Sequence, residues 1–184
     1  FSLPWLANSA QYFCNNYAMI KLSNNFLPVN EIILSVKPAM ITAKHEKTEI
    51  LLDTWMKKSI SDNKKGYILD NTETNMIKDK LKYIKKRYTY IDEKTFINDI
   101  GIKTFKIYDN LYDMYYLSLI FNITNASTAI LRHINDGTNL TLEIYESNGI
   151  KHQAMLACIN PPENKDEYNK IKNGIIKGDN TNVY

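Results

Sequence analysis

Two histidines in the second half of the chain, His133 and His152, are the side chains best suited to proton transfer. Each lies among apolar neighbours in a predicted strand, and a histidine with a pKa of about 6.5 can act as a base near neutral pH. A histidine base also needs a carboxylate that orients its ring. Asp136 and Glu143 are near in sequence, but their spacing defines no such partner. We therefore interpret both histidines as hydrogen-bonded strand residues and keep a small secreted or periplasmic hydrolase as the alternative function.

The sequence contains little that indicates a metal site, a nucleotide-binding site or a catalytic nucleophile. His45, Glu46 and Glu49 resemble half of a zinc-protease helix, but the second histidine that completes a zinc shell is missing. The sequence has no Gly-x-Ser-x-Gly nucleophile motif, no phosphate-binding glycine loop and no dinucleotide-binding glycine fingerprint. We therefore predict no catalytic residue, no metal site and no cofactor.

The densest charge feature is a basic run over 78–87 in a predicted helix. Its outward lysines, Lys82, Lys85 and Lys86, could bind an acidic protein partner. Nucleic-acid binding by the same helix is the second alternative. It is not favoured, because the net charge is only +3 and the chain has two arginines.

Tyrosine is unusually frequent, with 13 in the chain. Tyr112, Tyr115 and Tyr116 cluster around one predicted strand entry. Exposed tyrosines offer a large contact area with few rotatable bonds and favour recognition surfaces, so we predict a binding surface here. Ordinary strand propensity and core filling are the other interpretation of the same cluster.

Cys14 and Cys158 are the two cysteines, and the chain opens on Phe1. A disulfide between them and export to the periplasm or the extracellular space are the simplest joint interpretation. Three Asn-x-Ser/Thr sequons, at Asn122, Asn125 and Asn139, fit a eukaryotic secretory origin, whereas the cysteines fit a bacterial periplasmic origin equally well. No apolar run approaches the roughly 20 residues that span a bilayer, so no transmembrane segment is predicted.

Apolar periodicity predicts helices over 44–61 and 73–87, with a shorter helical turn over 92–98. In the first helix, Ile50, Leu51, Trp55 and the more distant Ile60 are expected to form the buried stripe, and Leu52 and Met56 are expected to widen it. Thr72 or Thr74 is expected to cap the second helix.

Strands are expected throughout the rest of the chain. The candidates are 17–22, 31–37, 104–108, 112–123, 128–134, 139–146 and 150–158. Asn135–Gly137 and Ser147–Gly149 are strong hairpin turn signals. The predicted fold is α+β, an antiparallel β-meander packed against two main amphipathic helices. It forms a single domain over 1–160, followed by a polar C-terminal tail over 161–184 that could form one helix.

These observations favour a non-catalytic protein-binding domain of an exported protein. An inhibitor or an immunity-type protein that blocks a partner is the form we expect, and the partner is another protein with an acidic surface. This preference rests on fold-level analogy and on the missing catalytic motifs.

Overall fold

The computed structural model of the protein describes residues 5–7, 10–14, 17–23, 43–81, 104–107, 110–133 and 139–159. Within these ranges lie nine strands and three helices. The strands are β1 (Trp5–Ala7), β2 (Ala10–Cys14), β3 (Ala18–Leu22), β4 (Tyr67–Leu69), β5 (Thr104–Ile107), β6 (Asn110–Asp113), β7 (Thr128–His133), β8 (Leu140–Tyr145) and β9 (Lys151–Leu156). The helices are α1 (Ala43–Asp62), α2 (Asn71–Lys80) and α3 (Met114–Ile123).

Seven of the described strands form one antiparallel sheet in the order β1-β2-β3-β9-β8-β7-β4. Strands β7, β8 and β9 are neighbours in sequence and in space, which is the predicted meander. Strands β5 and β6 form a separate two-stranded hairpin. The helices pack on the sheet, so the predicted α+β class and the single packed domain are confirmed.

The turn between β8 and β9 follows the Asn-Gly signal in the sequence. Gly149 has φ of 87°, a conformation that glycine adopts without steric cost. The backbone N–H of Glu146 donates to Ile150 O at 2.9 Å, and that of Gly149 donates to Glu146 O at 2.9 Å. This turn fixes the register of the hairpin, with Tyr145 opposite Lys151.

The main hydrophobic core lies between one face of the sheet and the helix pair α2 and α3. We call this side of the sheet the core face. Strand alternation supplies it with Ile20 from β3, Leu142 from β8 and Ala154 from β9, each fully buried. Apolar burial of this kind contributes about 25 cal/mol for each Å² removed from water, so most of the described hydrophobic stabilisation lies on this face.

Helix α3 replaces the strand that was predicted over 112–123, and that prediction is wrong beyond Asp113. The carboxylate of Asp113 accepts the N–H of Tyr115 at 2.9 Å and caps the helix, which ends at Thr124. Asn125 follows in the left-handed region, with φ of 47°. A continuous apolar run fits a buried helix and a buried strand equally well, because neither shows a polar face.

Helix α2 begins two residues earlier than predicted. Asp70 is its cap, and it forms a capping box with Glu73 in which each side chain accepts the backbone N–H of the other, at 2.9 and 2.8 Å. Thr74 instead donates its hydroxyl to Ser127 O at 2.7 Å. The predicted elements over 31–37 and 92–98, the basic run beyond Leu81 and the C-terminal tail lie outside the described residues.

Helix α1 has the predicted bounds within one residue, but its rotation about the helix axis differs from the prediction. Leu52, Met56 and Ser59 face the sheet, whereas Ile50 and Leu51 are 66% and 44% exposed. Leu52 and Met56, which are expected to widen the stripe, are its buried residues, and Ser59 is missed because serine is polar. Its hydroxyl is buried and bonds to Met56 O at 3.0 Å, and it accepts from the Thr141 hydroxyl at 2.7 Å.

The predicted disulfide is absent, since Cys14 and Cys158 are not bonded to each other. Cys14 packs beside Met19 and Met56 under α1, on the face opposite the main core. Cys158 packs against the main core. The sheet lies between the two clusters, which is why the two thiols do not meet.

Candidate functional site

The sheet face that α1 covers carries polar side chains in register across four strands. Lys21 of β3 lies opposite both Tyr12 of β2 and Gln153 of β9, and Gln153 lies opposite Glu143 of β8. Directly opposed residues of antiparallel strands point to the same side of the sheet. These four side chains therefore form one line, which we call the polar row. Helix α1 packs beside it, over the cluster around Met19.

Glu143 is the centre of an ion-pair network at one end of the polar row. One carboxylate oxygen binds a guanidinium nitrogen of Arg132, and the other binds the ammonium of Lys151. Arg132 also donates from Nε to Asn63 O at 2.9 Å and from Nη2 to Lys64 O at 3.1 Å. The guanidinium thus connects the sheet to the loop that follows α1.

Gly66 allows that loop to approach β7 closely. Its φ is 63°, and a Cβ at this position would lie 2.7 Å from Ile130 Cγ2 and 2.9 Å from Leu131 O. The Gly66 N–H donates to Asn63 Oδ1 at 3.2 Å and closes the turn. Only glycine combines this conformation with this proximity, and the turn carries the carbonyl groups that Arg132 binds.

Two opposing effects set the pKa of Glu143. Burial raises it, because a low-dielectric surrounding disfavours the charged carboxylate. Hydrogen bonds and Coulomb attraction from Lys151 and Arg132 outweigh burial, so the pKa lies below its ordinary value of 4.5. The carboxylate is therefore ionised at neutral pH.

Lys21 is held at the other end of the polar row. Its ammonium lies 3.3 Å from an Asp53 carboxylate oxygen and 5.6 Å from the centre of the Tyr12 ring. Burial lowers the pKa of Lys21, but the interactions with Tyr12 and Asp53 more than compensate and the pKa is raised. Lys21 is therefore a fixed cation that connects α1 to the sheet.

An open recess of about 210 Å³ lies beside the polar row. Its lining residues are Lys21, Ser23, Lys151 and Gln153. These four side chains end in two ammonium groups, a carboxamide and a hydroxyl, which are groups suited to a polar or anionic ligand.

The side of α1 that points away from the sheet is a second exposed feature. It carries Ile50 and Leu51, with Thr54 one helical turn further on and Trp55 half-buried at its edge. We call this surface the outer face of α1. Exposed lysines surround it, at positions Lys47, Lys57 and Lys58.

Of the two predicted histidines, His152 is buried on the core face. Its Nδ1 accepts the backbone N–H of Ser23 at 3.1 Å, so its Nε2 carries the proton and donates to Glu146 Oε1 at 2.8 Å. Burial lowers its pKa below 6.5, despite the opposing effect of Glu146. With a fully buried ring, His152 is placed to join strand ends rather than to meet a substrate. His133 lies half-buried at the end of β7.

The tyrosine cluster proves to be largely internal. Tyr112 is fully buried and packs on Phe105 with ring centres 5.6 Å apart. Tyr116 is buried and stacks on Tyr17 at 5.6 Å, and Tyr115 is half-buried. An exposed surface built from Tyr112 and Tyr116 is therefore excluded, because β6 and α3 turn both rings inward.

The remaining predicted binding residues, Lys82, Lys85 and Lys86, lie outside the described residues. Sequence reasoning also missed Lys21, Lys151 and Gln153, because Lys21 is far in the chain from the other two residues. A signal was available in part: the Asn-Gly turn after β8 sets the register that places Glu143 opposite Gln153. No sequence rule predicts that β3 pairs with β9.

Within the described part of the chain, no group of three or more His, Cys, Asp or Glu side chains could hold a metal ion. None of the helices described is both long enough and apolar enough to span a membrane. Comparison with protein-family models, with curated proteins and with solved structures found no match for this chain.

Proposed function

We propose that this protein is a non-catalytic protein-binding domain and that it binds its partner through the outer face of α1. The observation that carries the proposal is the exposure of Ile50 and Leu51, at 66% and 44%, on a helix of 20 residues. Among the described residues, these two adjacent aliphatic side chains belong to neither hydrophobic cluster, whereas a groove on a partner could bury them.

The supporting argument is that the helix presents this face rigidly. Leu52 and Met56 anchor the opposite side of α1 in the sheet, and the Ser59 hydroxyl is bonded to Thr141 at 2.7 Å. A surface that is already ordered loses little conformational entropy on binding. Such a helix can act as a preformed recognition element.

The charges around the outer face indicate the partner's chemistry. Lys47, Lys57 and Lys58 are exposed, and an acidic rim around an apolar groove would complement them. Complementary charge mainly raises the association rate and selects the partner, while the apolar centre supplies affinity. An inhibitor or an immunity-type protein, which blocks a partner's site by occupying it, is the mode of action that we propose.

We also propose that the protein is exported. Cys14 and Cys158 form no disulfide, so the argument for export is the set of Asn-x-Ser/Thr sequons. Asn125 is exposed at the turn after α3, whereas Asn122 is bound to Lys78 O at 3.0 Å and to Ser118 O at 2.8 Å. Expression in a eukaryotic secretory host should give a glycan at Asn125 and none at Asn122 by mass spectrometry. Protein retained unglycosylated in the cell would contradict a eukaryotic secretory origin.

The binding proposal can be tested with matched isoleucine variants. Ile50→Glu and Ile68→Glu each place one charge at a highly exposed isoleucine, since Ile68 on the edge strand β4 is 63% exposed. A photo-crosslinker at Thr54 would first identify the partner in the native source. Binding kinetics of the purified pair would follow.

We expect Ile50→Glu to weaken binding by more than about tenfold, as for a side chain at the centre of an interface. Ile68→Glu should change the affinity by less than about twofold, within the ±0.5 kcal/mol that is usual for surface changes. Equal affinities for both variants would reject the outer face of α1 as the binding surface. Crosslinking only to a second copy of the chain would replace the proposal with a homodimer.

A further inference from the structure

The recess beside the polar row combines fixed positive charge with unused hydrogen-bond donors. We propose that it binds a small oxyanion, either a phosphate or a carboxylate, between the ammonium groups of Lys21 and Lys151 and the carboxamide of Gln153. Its volume of about 210 Å³ admits such an anion with several water molecules, since one water occupies about 30 Å³. This site is separate from the outer face of α1 and does not depend on the protein-binding proposal.

Contacts within the described part of the protein do not use all the hydrogen-bond donors around the recess. An ammonium has three N–H donors. Lys21 uses two of them on Asp53 and Tyr12, and Lys151 binds one carboxylate, that of Glu143. The Gln153 side chain forms no hydrogen bond with any residue that the structure describes. Each of these three groups can therefore offer a donor to a ligand.

The two lysines are held in place before any ligand binds. The Lys21 ammonium lies over the Tyr12 ring and the Lys151 ammonium lies 5.9 Å from the centre of the Tyr145 ring. Each also has a carboxylate partner, which is Asp53 on α1 for Lys21 and Glu143 on β8 for Lys151. Preorganised donors need little conformational ordering when an anion binds.

Strand geometry places the two lysines at neighbouring positions on one face of the sheet. Lys21 lies directly opposite Gln153, and Lys151 lies two residues before Gln153 on the same face of β9. The Cα atoms of such diagonal neighbours are about 7–8 Å apart. Two long lysine side chains that start from these positions can both reach one oxyanion and donate N–H···O bonds to it.

The charge balance of the surrounding ion pairs favours an anion over a cation. Lys21, Lys151 and Arg132 face two carboxylates, Asp53 and Glu143, so the cluster has a formal charge of +1. Glu143 is shared with the buried guanidinium of Arg132, which leaves the charge of Lys151 only partly neutralised. Ser23 also lines the recess, and its buried hydroxyl bonds to none of the described residues, so it is a further possible donor.

Titration of the full chain, followed by NMR of the side-chain and backbone amides, tests the proposal. Sodium phosphate and sodium acetate are added in separate arms at constant pH and ionic strength, with sodium chloride as the reference. We expect saturable shifts of the Gln153 carboxamide and the Ser23 amide with phosphate or acetate, and none with chloride. The arm that saturates at the lower concentration identifies the preferred oxyanion.

Variants of the recess separate specific binding from general attraction to a basic surface. Lys21→Met and Gln153→Leu should each weaken the binding about tenfold, the effect of losing one strong hydrogen bond. Lys65→Met removes an exposed lysine of the loop after α1 and should leave binding unchanged. Unchanged amide shifts outside the recess would show that each variant is folded.

The proposal is overturned if neither anion gives saturable shifts. It is also overturned if Lys65→Met weakens binding as much as Lys21→Met, because the anion would then be responding to net charge alone. Loss of partner binding in Ile50→Glu, with anion binding intact, would show that the two sites are separate.

Discussion

The two faces of the sheet differ in what holds their helices in place. On the core face, fully buried aliphatic and aromatic side chains such as Leu142 of β8 and Phe121 of α3 hold α2 and α3 on the sheet. On the other face, α1 rests on the small cluster of Leu52 and Met56 and on the polar row with its ion pairs. One sheet thus has an apolar face that supplies stability and a mixed face that retains polar groups near water.

This difference suggests where the protein can present functional groups. A polar group buried in the main core loses its hydration, and this destabilises the protein unless the group forms a hydrogen bond there. The Ser118 hydroxyl forms such a bond, because it donates to Ile77 O at 2.7 Å. On the α1 face, the half-exposed Lys21 and Lys151 keep part of their hydration while they pair with carboxylates. Both proposed sites, the recess and the outer face of α1, lie on this side of the sheet.

The largest expected effect compares one leucine from each face. Leu142→Ala should destabilise the protein by about 4 kcal/mol and Leu52→Ala by about 2 kcal/mol, within the range for buried leucines. Both side chains are fully buried, but the cavity at Leu142 lies in the middle of the larger core and can relax less. Chemical denaturation of the two variants measures the difference. Equal losses in the free energy of unfolding would mean that the α1 face is packed as tightly as the core face.

The second prediction concerns the ion-pair network. Glu143→Gln should cost about 3 kcal/mol, because it leaves the buried guanidinium of Arg132 without its counter-charge. The double variant Arg132→Met with Glu143→Leu should cost less than Glu143→Gln alone, since a buried ion pair is often replaced by apolar side chains at little cost. A double variant that is less stable than Glu143→Gln would show that the bonds from Arg132 to the loop carbonyls dominate.

The third prediction concerns the pH dependence of stability, because each face of the sheet carries a group with a shifted pKa. The pKa of His152 is below its ordinary 6.5 in the folded protein. The unfolded chain therefore takes up a proton at this site first as the pH falls. The free energy of unfolding should be highest above pH 6.5 and should fall as the pH drops below it. Glu143, with a folded pKa below its ordinary 4.5, adds a further loss below pH 4.5.

The variant His152→Gln separates these two contributions. Its amide can accept from the Ser23 N–H and donate to Glu146 without titrating. Denaturation midpoints at pH 7.5 and 5.5 should then differ less than in the wild type, and the loss below pH 4.5 should persist. An unchanged difference between pH 7.5 and 5.5 would assign the first step to another group.

The smallest effect is expected for the exposed ion pair between α1 and the sheet. Asp53→Asn removes the partner of Lys21 at 3.3 Å, and the Asp53 side chain is 50% exposed. Exposed pairs contribute about 0.2–1 kcal/mol and weaken as salt rises. A cost above about 2 kcal/mol, measured by denaturation in low and high salt, would show that α1 is held mainly by charge.

Local sequence signals determined much of this fold. The bounds of α1, the meander of β7, β8 and β9 and the turn at Gly149 follow from periodicity and from glycine in a tight turn, which act over a few residues. The composition, 44% hydrophobic and 23% charged, indicated a globular domain. These features need no knowledge of distant contacts.

Tertiary contacts decided what periodicity left open. The apolar run of α3 is compatible with a strand or a helix. The cap at Asp113 and packing against the sheet make it a helix. The rotation of α1 places Ser59 against β8, where its buried hydroxyl accepts a hydrogen bond from Thr141. The two cysteines were assigned to one disulfide from sequence, whereas the pairing of β2, β3 and β9 places them on opposite faces. The recess exists only because β3 pairs with β9, and the paired residues are more than 120 positions apart in the chain. The energy of this pairing depends on burial and on strand register. No local sequence pattern encodes either of them.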